Sequence, residues 1–143
     1  MRLSELTGNE QYRSAATKGF RAFGRAARLR PTSMPKMLVA LDYYLDTPKE
    51  IVLVSPSEDA KLSPLVAALA GVFVPNRVMV SVHVGARAKA IGERVPLAVG
   101  KPPLDDAPTA YLCENHVCKK PTNDGAELAK QAAVAAPYPG TDR

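Results

Sequence analysis

At 143 residues, 46% hydrophobic and 23% charged, the chain is long enough to bury one core without disulfide staples and too apolar to be a disordered polymer. No apolar run reaches the roughly 18 residues of a membrane span, and the amino end, Met1-Arg2-Leu3-Ser4-Glu5-Leu6, lacks the unbroken apolar core of a secretory signal; a cytoplasmic protein with no membrane association is expected. The net charge of +5 is uneven, because residues 1–36 hold eight basic residues against Glu5 and Glu10, a net of +6, while the remainder holds eleven basic and twelve acidic residues.

That amino-terminal charge falls within a helical pattern. Thr7-Gly8-Asn9 reads as a turn and helix start, and Gln11 to Leu29 as a helix, since Tyr12, Ala15, Ala16, Phe20, Phe23, Ala27 and Leu29 recur at helical spacing between basic residues. Gly19 and Gly24 each weaken it by roughly 1 kcal/mol relative to alanine, and small residues at such positions often permit close packing on a neighbour. The basic residues read as a solvated face. Binding of nucleic acid or an anionic membrane surface through this helix is the alternative, but no recognition motif or aromatic stacking cluster accompanies it, so no nucleic acid partner is expected. Pro31-Thr32-Ser33 ends the helix and caps a second one, lined by Met34, Met37, Leu38, Leu41 and Leu45. The two form a helical hairpin.

After Pro48 the period changes. Glu50-Ile51-Val52-Leu53-Val54 is a β-branched, continuous run typical of a strand covered on both faces. Asp59 to Phe73 returns to helical spacing, Arg77 to Val82 is a second strand, and Ala86 to Ile91 a short helix. Gly100 to Asp106 is loop, Thr109 to Cys113 a third strand, and Gly125 to Ala135 a final helix. Alternating strands and helices predict an α/β fold, in which an N-terminal helical hairpin precedes a small three-stranded, mostly parallel sheet with flanking helices. The domains are expected at 1–48 (hairpin) and 49–136 (βαβαβα), with a disordered tail at 137–143. A thin sheet and a lone hairpin with a second apolar face both suggest a piece of something larger, or an oligomer.

Leu6-Thr7-Gly8 with Tyr12, Ala40-Leu41-Asp42, Glu50-Ile51-Val52, Pro75-Asn76-Arg77-Val78 and, above all, Ala110-Tyr-Leu-Cys-Glu-Asn-His-Val-Cys-Lys-Lys-Pro121 occur in an order that resembles the carboxyl-terminal end of one family. It is the thioredoxin-domain-containing proteins of the spermatogenesis-associated, YyaL-like type. The resemblance implies a parent with a thioredoxin-like domain followed by a six-hairpin α/α toroid, similar to sugar epimerases and six-hairpin glycosidases. This chain matches only the last toroid hairpin and the small α/β excursion behind it. The resemblance therefore implies a truncated homologue or split subunit, with a structural or interaction role, no catalytic residues and no complete active site. Its expected partner is another subunit or a second copy, held through the amino-terminal hairpin.

The residues fit for chemistry lie in Cys113-Glu114-Asn115-His116-Val117-Cys118. Four residues separate the cysteines, not the two of a thioredoxin redox pair. Three readings stay open: structural reduced thiols, a redox or regulatory pair, and a metal site using Cys113, His116 and Cys118 with His83 from the second strand. Two cysteines are too few for a disulfide framework, such bonds are rare in cytoplasm, and the family has an apolar aromatic where this chain has His116. The expectation is a reduced pair, Cys113 buried and Cys118 more exposed, with no metal and no cofactor. Asn115 and Asp124 read as turn and cap residues. Asp42 and Asp46, four apart at a helix end, read as a solvated face, with acid–base chemistry as the alternative.

Overall fold

The structure, a computed structural model, describes residues 1–134. The tail expected at 137–143 and the last residues assigned to the second domain and to the final helix lie outside them.

The chain opens with a helix absent from the sequence reading, α1 (Arg2–Thr7), which Gly8 ends in the left-handed region at φ 66°, its N–H donating to the Ser4 carbonyl. Asn9 caps α2 (Glu10–Leu29) by accepting from the Gln11 N–H at 2.9 Å. A short 3₁₀ turn at Pro31–Ser33 leads to α3 (Pro35–Leu45), with Pro35 at its first position, where a missing N–H costs nothing. Phe20 and Tyr44, with ring centroids 5.6 Å apart, clasp the two helices. Yet α2 buries only Ala27 of its twenty residues. Gly19 and Gly24 have nothing within 4 Å of where a Cβ would stand, so the close packing they suggest is not made within the described residues.

β1 (Lys49–Ser55) is buried at every position, as its unbroken apolar run requires. α4 (Ser63–Ala70) is shorter than its periodicity suggested, with Pro64 in its first turn and Gly71 at its end. β2 (Arg77–His83), α5 (Ala86–Arg94), β3 (Thr109–Glu114), β4 (Val117–Cys118) and α6 (Gly125–Ala133) complete the order. The sheet is four-stranded, β2-β1-β3-β4, and mixed: β2 runs parallel to β1, whereas β3 and β4 are each antiparallel to their neighbour. This corrects the three-stranded, mostly parallel sheet. After α5 the segment 95–108 returns the chain to the carboxyl end of β1, where Thr109 sits opposite Val54, so β3 must run backwards. Thr109 Oγ1 accepts from the Leu104 N–H, and Tyr111 donates its hydroxyl to the Pro102 carbonyl, tying that segment to the strand.

Two cores follow from the strand alternation. One face carries Ile51, Leu53, Ala110 and Leu112 beneath Leu65 and Leu69 of α4 and Leu128 and Ala132 of α6. On the other, Val52, Val54, Val78, Val82 and Tyr111 meet Tyr43 of α3 and Leu97, with Met1 and, from α1, Leu6 against them. Arg2 fastens α1 by donating to the Pro75 and Arg77 carbonyls, its guanidinium 5.2 Å from the Tyr43 ring centre. Among the described residues no helix is long and apolar enough to cross a membrane.

Candidate functional site

The cysteine-bearing segment is a β-hairpin. Glu114 faces Val117 across the two-residue turn Asn115-His116, whose φ values of 51° and 64° are the left-handed pair that a type I′ turn needs. Asparagine and histidine are among the few non-glycine residues that enter this region readily. Cys113 therefore stands directly opposite Cys118, with Cα atoms 3.8 Å apart, and the two are joined by a disulfide. The expectation of a reduced pair is thereby corrected: sequence spacing does not reveal that Cys118 lies on a returning strand rather than in an open turn. Cys113 is fully buried and Cys118 exposed, as expected of their positions. Neither sulfur is a thiolate ligand in this state.

The antiparallel course of β3 also places the hairpin at the amino end of β1, since Glu114 lies opposite Lys49. That is not the carboxyl-end crevice where α/β sheets usually hold ligands. His83, paired with Ser55, stands at the far end of β1, six residues or roughly 20 Å away. Its Nδ1 lies 3.1 Å from the Ser57 carbonyl oxygen. The structure does not bring His83 to His116 or the cysteines.

It brings other residues instead. Glu50, opposite Cys113 and on the same face of the sheet, is only 2% exposed. Its Oε1 lies 3.2 Å from His116 Nδ1. Glu5, carried over this end of the sheet by α1, is held by Arg13 at 2.7 Å. Oxygens of Glu5 and Glu50 and a ring nitrogen of His116 lie within 4.8 Å of one another. Two cavities of about 200 Å³ each meet this group. One is lined also by Lys101, Leu97 and the Cys113–Cys118 pair, the other by Tyr43, Arg13 and Asn115. Burial, reinforced by the Glu5 and Glu50 carboxylates and opposed by Arg2, pushes the Tyr43 phenol well above its usual range. Burial lowers Lys101, with Glu50 opposing, and its ammonium donates to the Leu97 carbonyl at 2.7 Å.

Around this group the polar residues have structural partners. Lys49 pairs with Glu114 across the strands. The Lys119 ammonium donates to the Gln131 carbonyl of α6. Asp124 caps α6 through the Ala126 N–H at 2.7 Å. Asp42 and Asp46 each accept from the buried Asn76 amide nitrogen at 2.8 Å, one from each hydrogen, so they anchor α3 to the start of β2 rather than form a bare acid pair. The sequence reading missed Glu5, Tyr43 and Glu50. Only Glu50 left a signal, an acid at the head of a strand that is otherwise apolar.

Over 130 residues, 91% of its length, the chain is 29% identical to spermatogenesis-associated protein 20 of Homo sapiens and 26% identical to that of Rattus norvegicus. It is 27% identical over 128 residues to an uncharacterised protein of Caenorhabditis elegans. The chain spans about one-sixth of the length of these curated relatives. No model of a protein family matches it. No solved structure matches it. The similarity over nine-tenths of the chain supports the spermatogenesis-associated protein 20 family and suggests a fragment of a larger protein.

Proposed function

We propose that this chain is a structural module of a spermatogenesis-associated protein 20-type protein, working while docked on the rest of that protein and without a complete active site of its own. The partner is a thioredoxin-like domain with the remaining helices of an α/α toroid, joined to it or supplied as a separate subunit. The observation that carries the reading is α2, twenty residues of which only Ala27 is buried. Tyr12 and Phe23, eleven residues apart and so on one side of the helix, are 43% and 55% exposed, and Val39 and Tyr44 of α3 are exposed with them. Two glycines cost this helix roughly 1 kcal/mol each, with no neighbour inside the described chain to repay it by close approach. Large apolar side chains left exposed on both helices of the hairpin suit an interface.

Light scattering with a hydrophobic dye tests this. The chain alone should bind dye and self-associate at micromolar concentrations, and Tyr12→Lys with Phe23→Lys should suppress both. Adding the human relative without its matched segment should also suppress both. A dye-silent monomer overturns the reading, as does self-association that the added remainder does not relieve.

The disulfide favours a second reading, a redox-responsive hairpin. Exposed Cys118 is open to attack while Cys113 is buried. A dithiol thiolate would attack Cys118 Sγ and expel Cys113 as thiolate, and the second thiol would resolve the mixed disulfide. Both cysteines end protonated and the dithiol oxidised. Titration with dithiothreitol in a glutathione-range poise should reduce the pair reversibly while the fold persists; resistance to reduction until the protein unfolds would leave it a purely structural staple.

A further inference from the structure

We infer that Glu5, Glu50 and His116 form a binding site for a zinc ion, independent of the docking reading above. Two carboxylates and an imidazole converge, with ligating atoms within 4.8 Å of one another. They come from three separate elements, α1, β1 and the hairpin turn, so the grouping is tertiary and not an accident of local spacing.

The second observation is what the protein leaves unsatisfied beside them. Among the described residues, two buried side-chain atoms have no hydrogen-bonding partner in the protein: Glu50 Oε2 and Tyr43 Oη. Glu50 is 2% exposed and Tyr43 3%, and both line the same cavity of about 200 Å³, together with Glu5 and His116. A buried carboxylate oxygen without a partner costs several kcal/mol, so native proteins seldom keep one. A cation held by both oxygens of the Glu50 carboxylate gives Oε2 the partner it lacks, and water on the cation's open coordination positions can meet the Tyr43 hydroxyl.

The donor set selects the ion. An imidazole nitrogen disfavours calcium and magnesium, which take oxygen ligands, and suits zinc or a neighbouring first-row metal. Two carboxylates balance a divalent charge with histidine neutral. Ligands at about 2.0–2.2 Å from zinc stand about 3.3–3.6 Å apart in a tetrahedron, a little beyond the 3.2 Å separating His116 Nδ1 from Glu50 Oε1. Rotation of the exposed His116 ring supplies the remaining adjustment. Arg13 engages Glu5 through Oε1, so one oxygen of that carboxylate is not taken by the pair. The hairpin disulfide fixes the turn that carries His116, and because its sulfurs are bonded to each other the site owes nothing to thiolates.

The test uses the full chain without a histidine tag, oxidised and freed of metal with a chelator. Titration with zinc followed by calorimetry should show one saturable equivalent. Cobalt in its place should give visible bands of low coordination number without thiolate charge transfer. His116→Ala and Glu50→Gln should each weaken zinc binding at least tenfold, while His83→Ala, altering the histidine at the far end of the sheet, should leave it unchanged. If Glu50→Gln does not fold, His116→Ala and the cobalt spectrum decide. No saturable binding would mean that water alone satisfies Glu50 and Tyr43, and would overturn the proposal. Binding unaffected by His116→Ala, or seen only after reduction of the cysteines, would overturn it equally.

Discussion

The turn residues Asn115 and His116 hold φ values of 51° and 64°, and this backbone, together with the disulfide that closes the hairpin, keeps Cys118 opposite Cys113 and His116 beside Glu50. A β-branched residue at φ > 0 is strained by about 1–3 kcal/mol. Asn115→Val should therefore lower the stability of the oxidised protein by that amount in urea unfolding. Asn115→Gly, for which the conformation is unstrained, should stay within about 1 kcal/mol of the parent. Equal losses in the two variants would show that the asparagine side chain, not the backbone, matters here. Asn115 and Asp124 were legible in the sequence because turn and cap preferences are local. Glu5 and Tyr43 were not. What makes them notable is that α1 and α3 bring them together with Glu50 at one end of the sheet, Glu5 from more than forty residues before that strand.

At the scale of elements, periodicity located most of the helices and strands, because burial on one side of a helix or both sides of a strand leaves its spacing in the chain. The continuous run at Ile51–Val54 was readable as a doubly covered strand, and β1 is buried throughout. Strand direction left no such trace. Thr109 to Cys113 has the same apolar character whichever way it runs, and its course was decided by the path of residues 95–108, which the sequence presented as a plain proline-rich loop. The consequence for the site is large. With β3 reversed, the cysteine hairpin falls at the amino end of β1, away from His83, and the four-ligand zinc set of two cysteines and two histidines dissolves. β4, two residues long, was too short to carry a period, and the disulfide was hidden with it. Asp42 and Asp46 show the same limit from the other side: their spacing was visible, but Asn76, the donor that explains them, lies thirty residues further on.

For the whole molecule, the shift from helical to β spacing at Pro48 suggested two units, 1–48 and 49–136, yet the packing joins them. Met1, Leu6 and Tyr43 cover the face of the sheet formed by Val52, Val54, Val78, Val82 and Tyr111. Arg2 is hydrogen-bonded to the Pro75 and Arg77 carbonyls, and Asn76 ties α3 to β2. Fully burying a large apolar side chain contributes about 1.5–3 kcal/mol, and a domain of this size has only about 5–15 kcal/mol of net stability. Losing the buried Tyr43 and the half-buried Met1 and Leu6 together, and uncovering the valines beneath them, removes a large share of that margin. A chain of residues 49–134 should accordingly show no cooperative thermal transition by circular dichroism, whereas the full chain should unfold in one. The exposed side of α2 does not enter this comparison, since it covers nothing in the sheet; its apolar residues concern docking and not the fold. A cooperative transition in the shorter chain would mean that the sheet is stable with this face covered only by Leu97, Ala98 and the α5 residues beside them, and that residues 1–48 are a separable attachment rather than part of its second core.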